Sequence, residues 1–337
     1  MRLLVITQEV DTESKTLGFF HEWIRSLAPH YESIEVICLK EGSHSLPQNV
    51  RVHSLGKEKG RAPGFIYAMR FKFLAWKLRR EYDAVFVHMN QEYILIGGLM
   101  WKFLGKPVYM WRNHYAGSLL TDIAAMFCTK VFCTSTYSYT AKFSKTVLMP
   151  VGIDVGNFHP NENSVRVPRS ILFLARIAPS KHPDILIEAL GMLLERNVSF
   201  TASIYGSPLP QDARYYESIQ LRARQLGLKD RVRFHPGIPN TATPEIYRTH
   251  SIFVNCSRSG MFDKTIFEAA ACGADVLAAS EDWRQLAGHD HWFSLSASEL
   301  ANALEHRLAA DSGVNLIDIA RTQSLDTLAE RLVQEMG

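Results

Sequence analysis

Residues 171–184 read Ile171-Leu172-Phe173-Leu174-Ala175-Arg176-Ile177-Ala178-Pro179-Ser180-Lys181-His182-Pro183-Asp184. Five apolar residues run without a polar alternate, which is how a strand covered on both faces is written. The run ends on Arg176, a turn follows, and a helical pattern begins near Lys181. Two cations five residues apart thus flank a strand-to-helix turn. Ligands of parallel sheets bind at the carboxyl ends of strands. A guanidinium and an ammonium at such an end suit phosphate oxygens, so Arg176 and Lys181 are candidate ligands of a diphosphate. The plain alternative is two solvated surface cations.

Working outward, the same strand–helix unit recurs from end to end. In the first half Leu3–Thr7, Ile34–Cys38, Ala84–His88, Pro107–Trp111, Lys130–Cys133 and Thr146–Met149 read as strands, with helices near 17–29, 66–82, 93–104 and 135–142. In the second half Ile171–Ala175, Phe200–Tyr205, Arg231–Phe234, Ile252–Asn255, Val276–Ala279 and Trp292–Ser294 read as strands. Helical patterns near 181–196, 212–226, 243–249, 264–273 and 297–310 separate these. The alternation predicts an α/β chain with two parallel sheets. The polar stretch Gly152–Ser170 divides them. We expect an N-terminal domain over 1–152, a C-terminal domain over 165–312, and closing helices over 313–337.

Composition sets the class. The chain has 337 residues, 47% apolar and 21% charged, enough apolar surface for two packed cores and too much for a disordered chain. Five cysteines (38, 128, 133, 256, 272) form no CxxC pair, so reduced buried thiols and a cytoplasmic location are expected. The apolar run at the N-terminus is too short for a signal peptide or a membrane span. Net charge is +3, but residues 1–150 carry +7 and the remainder −4. The first half is therefore expected to meet something anionic, and we expect no nucleic-acid partner. Within it, 66–80 holds five cations and no acid among aromatic residues. That helix suits an anionic membrane surface or a lipid-phosphate acceptor; the alternative is an ordinary amphipathic helix packed on the sheet.

Further candidates sit at strand ends. After Ile252–Asn255 comes Ser257-Arg258-Ser259-Gly260-Met261-Phe262-Asp263-Lys264-Thr265-Ile266-Phe267-Glu268. A helix starting near Asp263 offers its free N–H groups and dipole to an anion or hydroxyl. Glu268, in its second turn, is placed to accept hydrogen bonds from a ribose. Otherwise Asp263 is only an N-cap and Glu268 a surface residue. In Thr16-Leu17-Gly18-Phe19-Phe20 the glycine permits backbone approach to a phosphate. His88 and His114 lie at or after strand ends.

These residues together resemble the family-4 (group 1) retaining glycosyltransferases, of GT-B fold. Met149-Pro150-Val151-Gly152-Ile153-Asp154-Val155-Gly156-Asn157-Phe158-His159-Pro160 is similar to the family's interdomain segment PNGVDxxxFxP. Arg176 and Lys181 match its diphosphate clamp GRLxxxKG. Tyr205-Gly206-Ser207-Pro208 resembles its GxGP loop, and Val232–Pro239 its VxFxGxV segment, whose backbone after the glycine, here Ile238, reads the base. Glu268-Ala269-Ala270-Ala271-Cys272-Gly273 matches EAMACG.

The resemblance implies two Rossmann-like domains with parallel sheets facing a central cleft and C-terminal helices crossing back to the first domain. It implies metal-free, retaining transfer of a hexose from a nucleoside diphosphate sugar to a glycan or lipid-linked acceptor, with no cofactor; the basic 66–80 segment adds a cytoplasmic, peripheral position at the inner face of the membrane. Gly18, Arg176, Lys181, Gly206, Ser207, Ile238, Asp263, Lys264, Thr265 and Glu268 would bind the donor. His88 and His114 would face the acceptor, and His114, Arg176, Lys181 and Asp263 would serve catalysis. One departure stands out. The family's E-x7-E pattern places a Glu eight residues before Glu268, where this chain has Gly260, and its GFG becomes Met261-Phe262-Asp263. A non-catalytic nucleotide-sugar or glycan-binding protein, or a GT-B epimerase, are the competing readings.

Overall fold

The structure, a computed structural model, describes every residue except 15–16, 261–262 and 311–314. It divides into two compact units, Met1–Gly152 with Leu325–Gly337, and Ile153–Ser324.

The first unit is built on seven strands, β1 (Arg2–Val10), β2 (Ser33–Glu41), β3 (Val50–Ser54), β4 (Ala84–His88), β5 (Val108–Trp111), β6 (Lys130–Cys133) and β7 (Thr146–Leu148), in the order β3-β2-β1-β4-β5-β6-β7. All neighbours run parallel, with Leu3–Ile6 of β1 aligned to Ile34–Ile37 on one side and Ala84–Val87 on the other. Alternate residues of these strands feed two cores. Leu3, Val5, Val36 and Phe86 pack under α1 (Phe19–Leu27). Leu4, Ile6, Val85 and Val87 pack under α2 (Gly64–Lys77), α3 (Gln91–Phe103) and α4 (Leu119–Phe127). Two-sided burial is why the strands read as continuous apolar runs.

The second unit has five parallel strands, β8 (Val167–Leu174), β9 (Thr201–Tyr205), β10 (Val232–His235), β11 (His250–Asn255) and β12 (Asp275–Ala278), in the order β10-β9-β8-β11-β12. Its helices are α5 (Pro183–Glu195), α6 (Ala213–Gln225), α7 (Thr243–Thr249), α8 (Lys264–Ala271), α9 (Glu281–Ala287), α10 (Ala297–Ala309) and α11 (Ile317–Arg321). The last helix, α12 (Leu325–Met336), returns to the first unit. It packs on α1, burying Leu328, Leu332 and Met336 in the core that holds Trp23 and Ile24.

Three readings of the sequence need correction. β3 went unseen because Val50-Arg51-Val52-His53-Ser54 is an edge strand with polar alternates, paired only to β2. Trp292–Ser294 makes a single bridge to Ala278 instead of a strand, and the 135–142 pattern is a 3-10 turn over Tyr139–Lys142.

The limits of the units also differ from those expected. Residues 153–164 are not a loose connection. Arg248 of α7 donates to the carbonyls of His159 (2.7 Å) and Asn157 (2.8 Å), and Phe158 is buried near Tyr247. The limit expected at 312/313 lies outside the described residues. α11 packs on α8 and stays with the second unit, with Leu316 and Ala320 buried.

Leu332 is a fully buried leucine on the returning helix, so Leu332→Ala removes packing and leaves a cavity. The expected cost is about 2–5 kcal/mol of unfolding free energy. Denaturant titration followed by fluorescence checks it; a change under about 0.5 kcal/mol would mean α12 contributes no packing energy.

Candidate functional site

In an open parallel sheet the crevice forms where the strand order reverses, because the two connections there leave in opposite directions. In the second sheet that point lies between β8 and β11. The segment after β8 carries Arg176 and Lys181, and the segment after β11 carries Ser257 and Asp263. The topology therefore gathers residues some 80 positions apart in the chain.

The neighbouring loops are tied together by backbone. Ile177 N–H donates to Ser207 O (3.2 Å), Gly206 N–H to His235 O (3.1 Å), and Gly237 N–H to Ser207 Oγ (2.9 Å). A Cβ on Gly206 would sit 2.0 Å from the Ala175 carbonyl, so only glycine lets these loops approach. Ile238 follows directly and is half-buried. Thus Gly206, Ser207 and Ile238 lie on adjoining loops at one sheet edge.

Arg176 is exposed and has no ion-pair or hydrogen-bond partner among the described residues. Lys181 is different. Its ammonium donates to Asp263 Oδ1 (2.7 Å), Asp263 Oδ2 (2.6 Å) and Ser257 Oγ (3.2 Å). Asp263 also accepts from Asn255 Nδ2 (3.1 Å) and from the Ser257 hydroxyl. Asn255 Nδ2 further reaches Thr265 Oγ1 (3.4 Å). Burial works against the Asp263 carboxylate, but the Lys181 charge and the bonds from Lys181, Ser257 and Asn255 hold it below the ordinary carboxylate range. Asp263 occupies the N-cap position of α8 without capping it: its side chain makes no bond to the first-turn amides. The carboxylate is spent on Lys181 instead.

Glu268 is not a surface residue. It is 3% exposed and accepts from Asn240 Nδ2 (3.2 Å) and the Tyr247 hydroxyl (3.2 Å). Burial pushes its carboxyl above the usual value, while Lys264 and the bonds from Asn240 and Tyr247 pull the other way. Lys264, four residues earlier on the same helix, is lowered to about 8 by burial, opposed by Glu268 and Asp154. Asn240, Tyr247, Asn255 and Ser257 escaped the sequence reading because uncharged polar residues in loops and helices carry no spacing signal.

Met261 and Phe262 lie outside the described residues. Gly260 has φ +85°, a left-handed conformation that favours glycine over any side chain. A glutamate at 260 would be strained in this backbone.

In the first unit the switch point lies between β1 and β4. Thr16 is outside the described residues; Gly18 precedes α1, where a Cβ would meet Ser14 O at 2.7 Å. His88 does not face an acceptor. It is 1% exposed, its ring stacks on Phe20 at 3.9 Å, and Nδ1 lies 3.4 Å from Thr7 Oγ1. The run of aromatics in α1 encloses it. His114 is half-buried; its Nδ1 accepts from Ala116 N–H (2.9 Å) and its ring stacks on Tyr115. Arg112, two residues before it, was not singled out by the sequence. Its half-buried guanidinium has no carboxylate within ion-pair distance among the described residues. Among the described residues, no three His, Cys, Asp or Glu side chains are grouped to hold a metal ion.

Lys264 gives a pH test. Its pKa falls from 10.5 in the unfolded chain to about 8 in the folded one. Between those values the unfolded chain binds more protons, so raising pH there favours folding. The stability difference between wild type and Lys264→Met should therefore shift toward wild type from about pH 8 to 10.5, and stay level below 8. A difference that is flat across the window contradicts the burial of this ammonium.

Residues 156–282 match the family described as glycosyl transferases group 1. The chain is 29% identical over 222 residues to a D-inositol 3-phosphate glycosyltransferase of Actinosynnema mirum, covering 59% of this chain and 53% of that protein. It is 32% identical over 193 residues to D-inositol 3-phosphate glycosyltransferase 2 of Catenulispora acidiphila, covering 50% and 45%. The chain thus spans about half the length of the curated relatives it matches. Among solved structures, Anabaena Alr3699/HepE in complex with UDP and glucose superposes with TM-score 0.80 at 19% identity, over 99% of this chain and 98% of that one. Trehalose-6-phosphate from E. coli, as that structure is described, bound with UDP-2-fluoro glucose, gives TM-score 0.75 at 11% identity, over 100% and 99%. Residues 156–282 are thus similar to the group 1 glycosyl transferases, and the two parallel-sheet units have the GT-B fold of these solved structures.

Proposed function

We propose that the chain moves a hexose from a nucleoside diphosphate sugar to a glycan or lipid-linked acceptor, with retention of configuration and without a metal ion. The observation that carries this reading is the cluster at the β8/β11 switch point, inside the segment that matches the family. There an unpaired exposed guanidinium, a lysine and an uncapped helix N-terminus share one sheet edge. The anomeric carbon's bond to the phosphate oxygen breaks, its bond to the acceptor oxygen forms, and the acceptor's proton passes to the leaving phosphate on the same face. Arg176, Lys181 and the first-turn amides of α8 take up the charge that develops on the diphosphate. Glu268 binds the ribose, the Ile238 loop the base, and Lys264 and Thr265 the sugar. His114 and Arg112 serve the acceptor.

The complexes of the structural neighbours with UDP and UDP-2-fluoro glucose make UDP-glucose the first donor to try. The inositol phosphate in the relatives' names and the +7 balance of residues 1–150 favour an anionic acceptor. The test is release of nucleoside diphosphate from UDP-, GDP- and ADP-sugars with and without D-inositol 3-phosphate. Arg176→Ala should lower turnover by about 10²-fold; turnover within a few-fold of wild type would remove Arg176 from the site. Gly260 and the engaged Lys181 favour a second reading, a nucleotide-sugar binder without transferase activity, for which tight donor binding with no transfer or hydrolysis would decide. A donor altered without any acceptor would indicate an epimerase.

We also propose a peripheral location at the inner, anionic face of the membrane. Among the described residues no helix is long and apolar enough to cross one. Yet α2, α3 and α4 cover one face of the first sheet and leave large apolar groups exposed: Phe65, Met69, Phe73 and Trp76 at helical spacing on α2, with Phe103 of α3 at 89%. α2 packs inward mainly through Phe71 and Ala75, so it is not simply an amphipathic helix with a polar outer face. Arg70, Lys72, Lys77 and Arg80 flank the stripe, and an apolar stripe edged by cations suits an anionic bilayer. Co-sedimentation with phosphatidylcholine vesicles containing phosphatidylglycerol should be salt-sensitive and fall by about fivefold or more in Phe73→Ser/Trp76→Ser. Absent or salt-insensitive binding would refute the location.

A further inference from the structure

The donor reading assigns Lys181 to phosphate, yet Lys181 is already engaged. Its three ammonium hydrogens match three acceptors, two of them the oxygens of Asp263. Asp263 is not a mobile surface acid: Asn255 and Ser257, both buried, hold it from behind. It also forgoes the capping bond that its position at the head of α8 offers. In the pattern this chain resembles, position 263 is a glycine, so the carboxylate departs from that pattern.

A phosphate oxygen seeking Lys181 would arrive beside a fixed negative charge. A monodentate approach gains little, because the ammonium is neutralised and its hydrogen bonds are spent. We infer that Asp263 is an internal competitor for the donor's phosphates, so that a diphosphate acquires Lys181 only by displacing the Asp263 carboxylate. The inference rests on the donor-site reading above. It makes Asp263 a determinant of affinity: Arg176, exposed and unpaired, receives the phosphates first, and Lys181 joins only when its carboxylate partner is displaced. A ligand that ends in one phosphate has less charge with which to displace Asp263 than one that ends in two.

Calorimetric binding of UDP, GDP and ADP, each compared with its monophosphate, tests this on the full chain. Asp263→Asn keeps the polar contacts and removes the charge. It should tighten the best-bound diphosphate by about tenfold, with a smaller gain for the monophosphate, because one opposing charge at hydrogen-bond distance is lifted. In the Lys181→Met background a gain from lifted charge repulsion remains, but the diphosphate's larger gain over the monophosphate should disappear, since no ammonium is left for the diphosphate to acquire. Asp263→Gly, the residue of the resembled pattern, should act in the same direction if the amide variant does not fold. If the folded variants bind the diphosphate no more tightly than wild type, or more weakly, Asp263 is a strut that positions Lys181 and the competitor role is overturned. If the diphosphate keeps its larger gain over the monophosphate with Lys181→Met, competition for the ammonium is likewise overturned. If neither wild type nor any variant binds a diphosphate, both this inference and the donor-site reading fall.

Discussion

The Asp263 carboxylate sits where little water reaches it, and the second unit supplies what solvent would have given. Lys181 neutralises it, and Ser257 and Asn255 complete its hydrogen bonds. Breaking such a cluster by removing one partner leaves an uncompensated charge, so each member constrains the others. The constraint reaches outward: it holds the segment after β8 to the segment after β11, at the residue that precedes α8.

That clustering is possible only because the sheet is parallel and its order reverses between β8 and β11. Parallel strands put all their carboxyl ends on one edge, and the reversal opens a space there. Gly206 then sets how closely the next loop approaches, with no room for even a methyl group beside the Ala175 carbonyl. Backbone geometry, rather than side-chain recognition, shapes this part of the edge. The same economy explains Gly260, whose left-handed backbone leaves no comfortable place for the acidic side chain expected there.

The first unit distributes its residues differently. Its aromatic-rich α1 turns inward, enclosing His88 and meeting α12, so that the two ends of its chain close one core. Its opposite face is covered by α2, α3 and α4, whose outer residues are apolar and cationic together. A helix with apolar groups on both sides has one face that satisfies the core and another with no such purpose. Surface of that kind is uncommon on a protein that meets only water.

The sequence by itself determined the class of fold, because two-sided burial writes each central strand as an unbroken apolar run such as Ile171-Leu172-Phe173-Leu174. It also marked Arg176, Lys181, Asp263 and Glu268, since a charge placed directly after such a run must lie at a sheet edge or helix start. It missed β3, whose edge position needs no apolar run, and it misjudged His88, since strand-end position does not reveal whether α1 covers the ring. Which groups meet was decided by the tertiary structure alone. Lys181 and Asp263 are 82 positions apart, and nothing local distinguishes an ammonium awaiting a phosphate from one already holding a carboxylate. Pairing of that kind depends on strand order and loop approach, which are properties of the whole sheet and not of any segment.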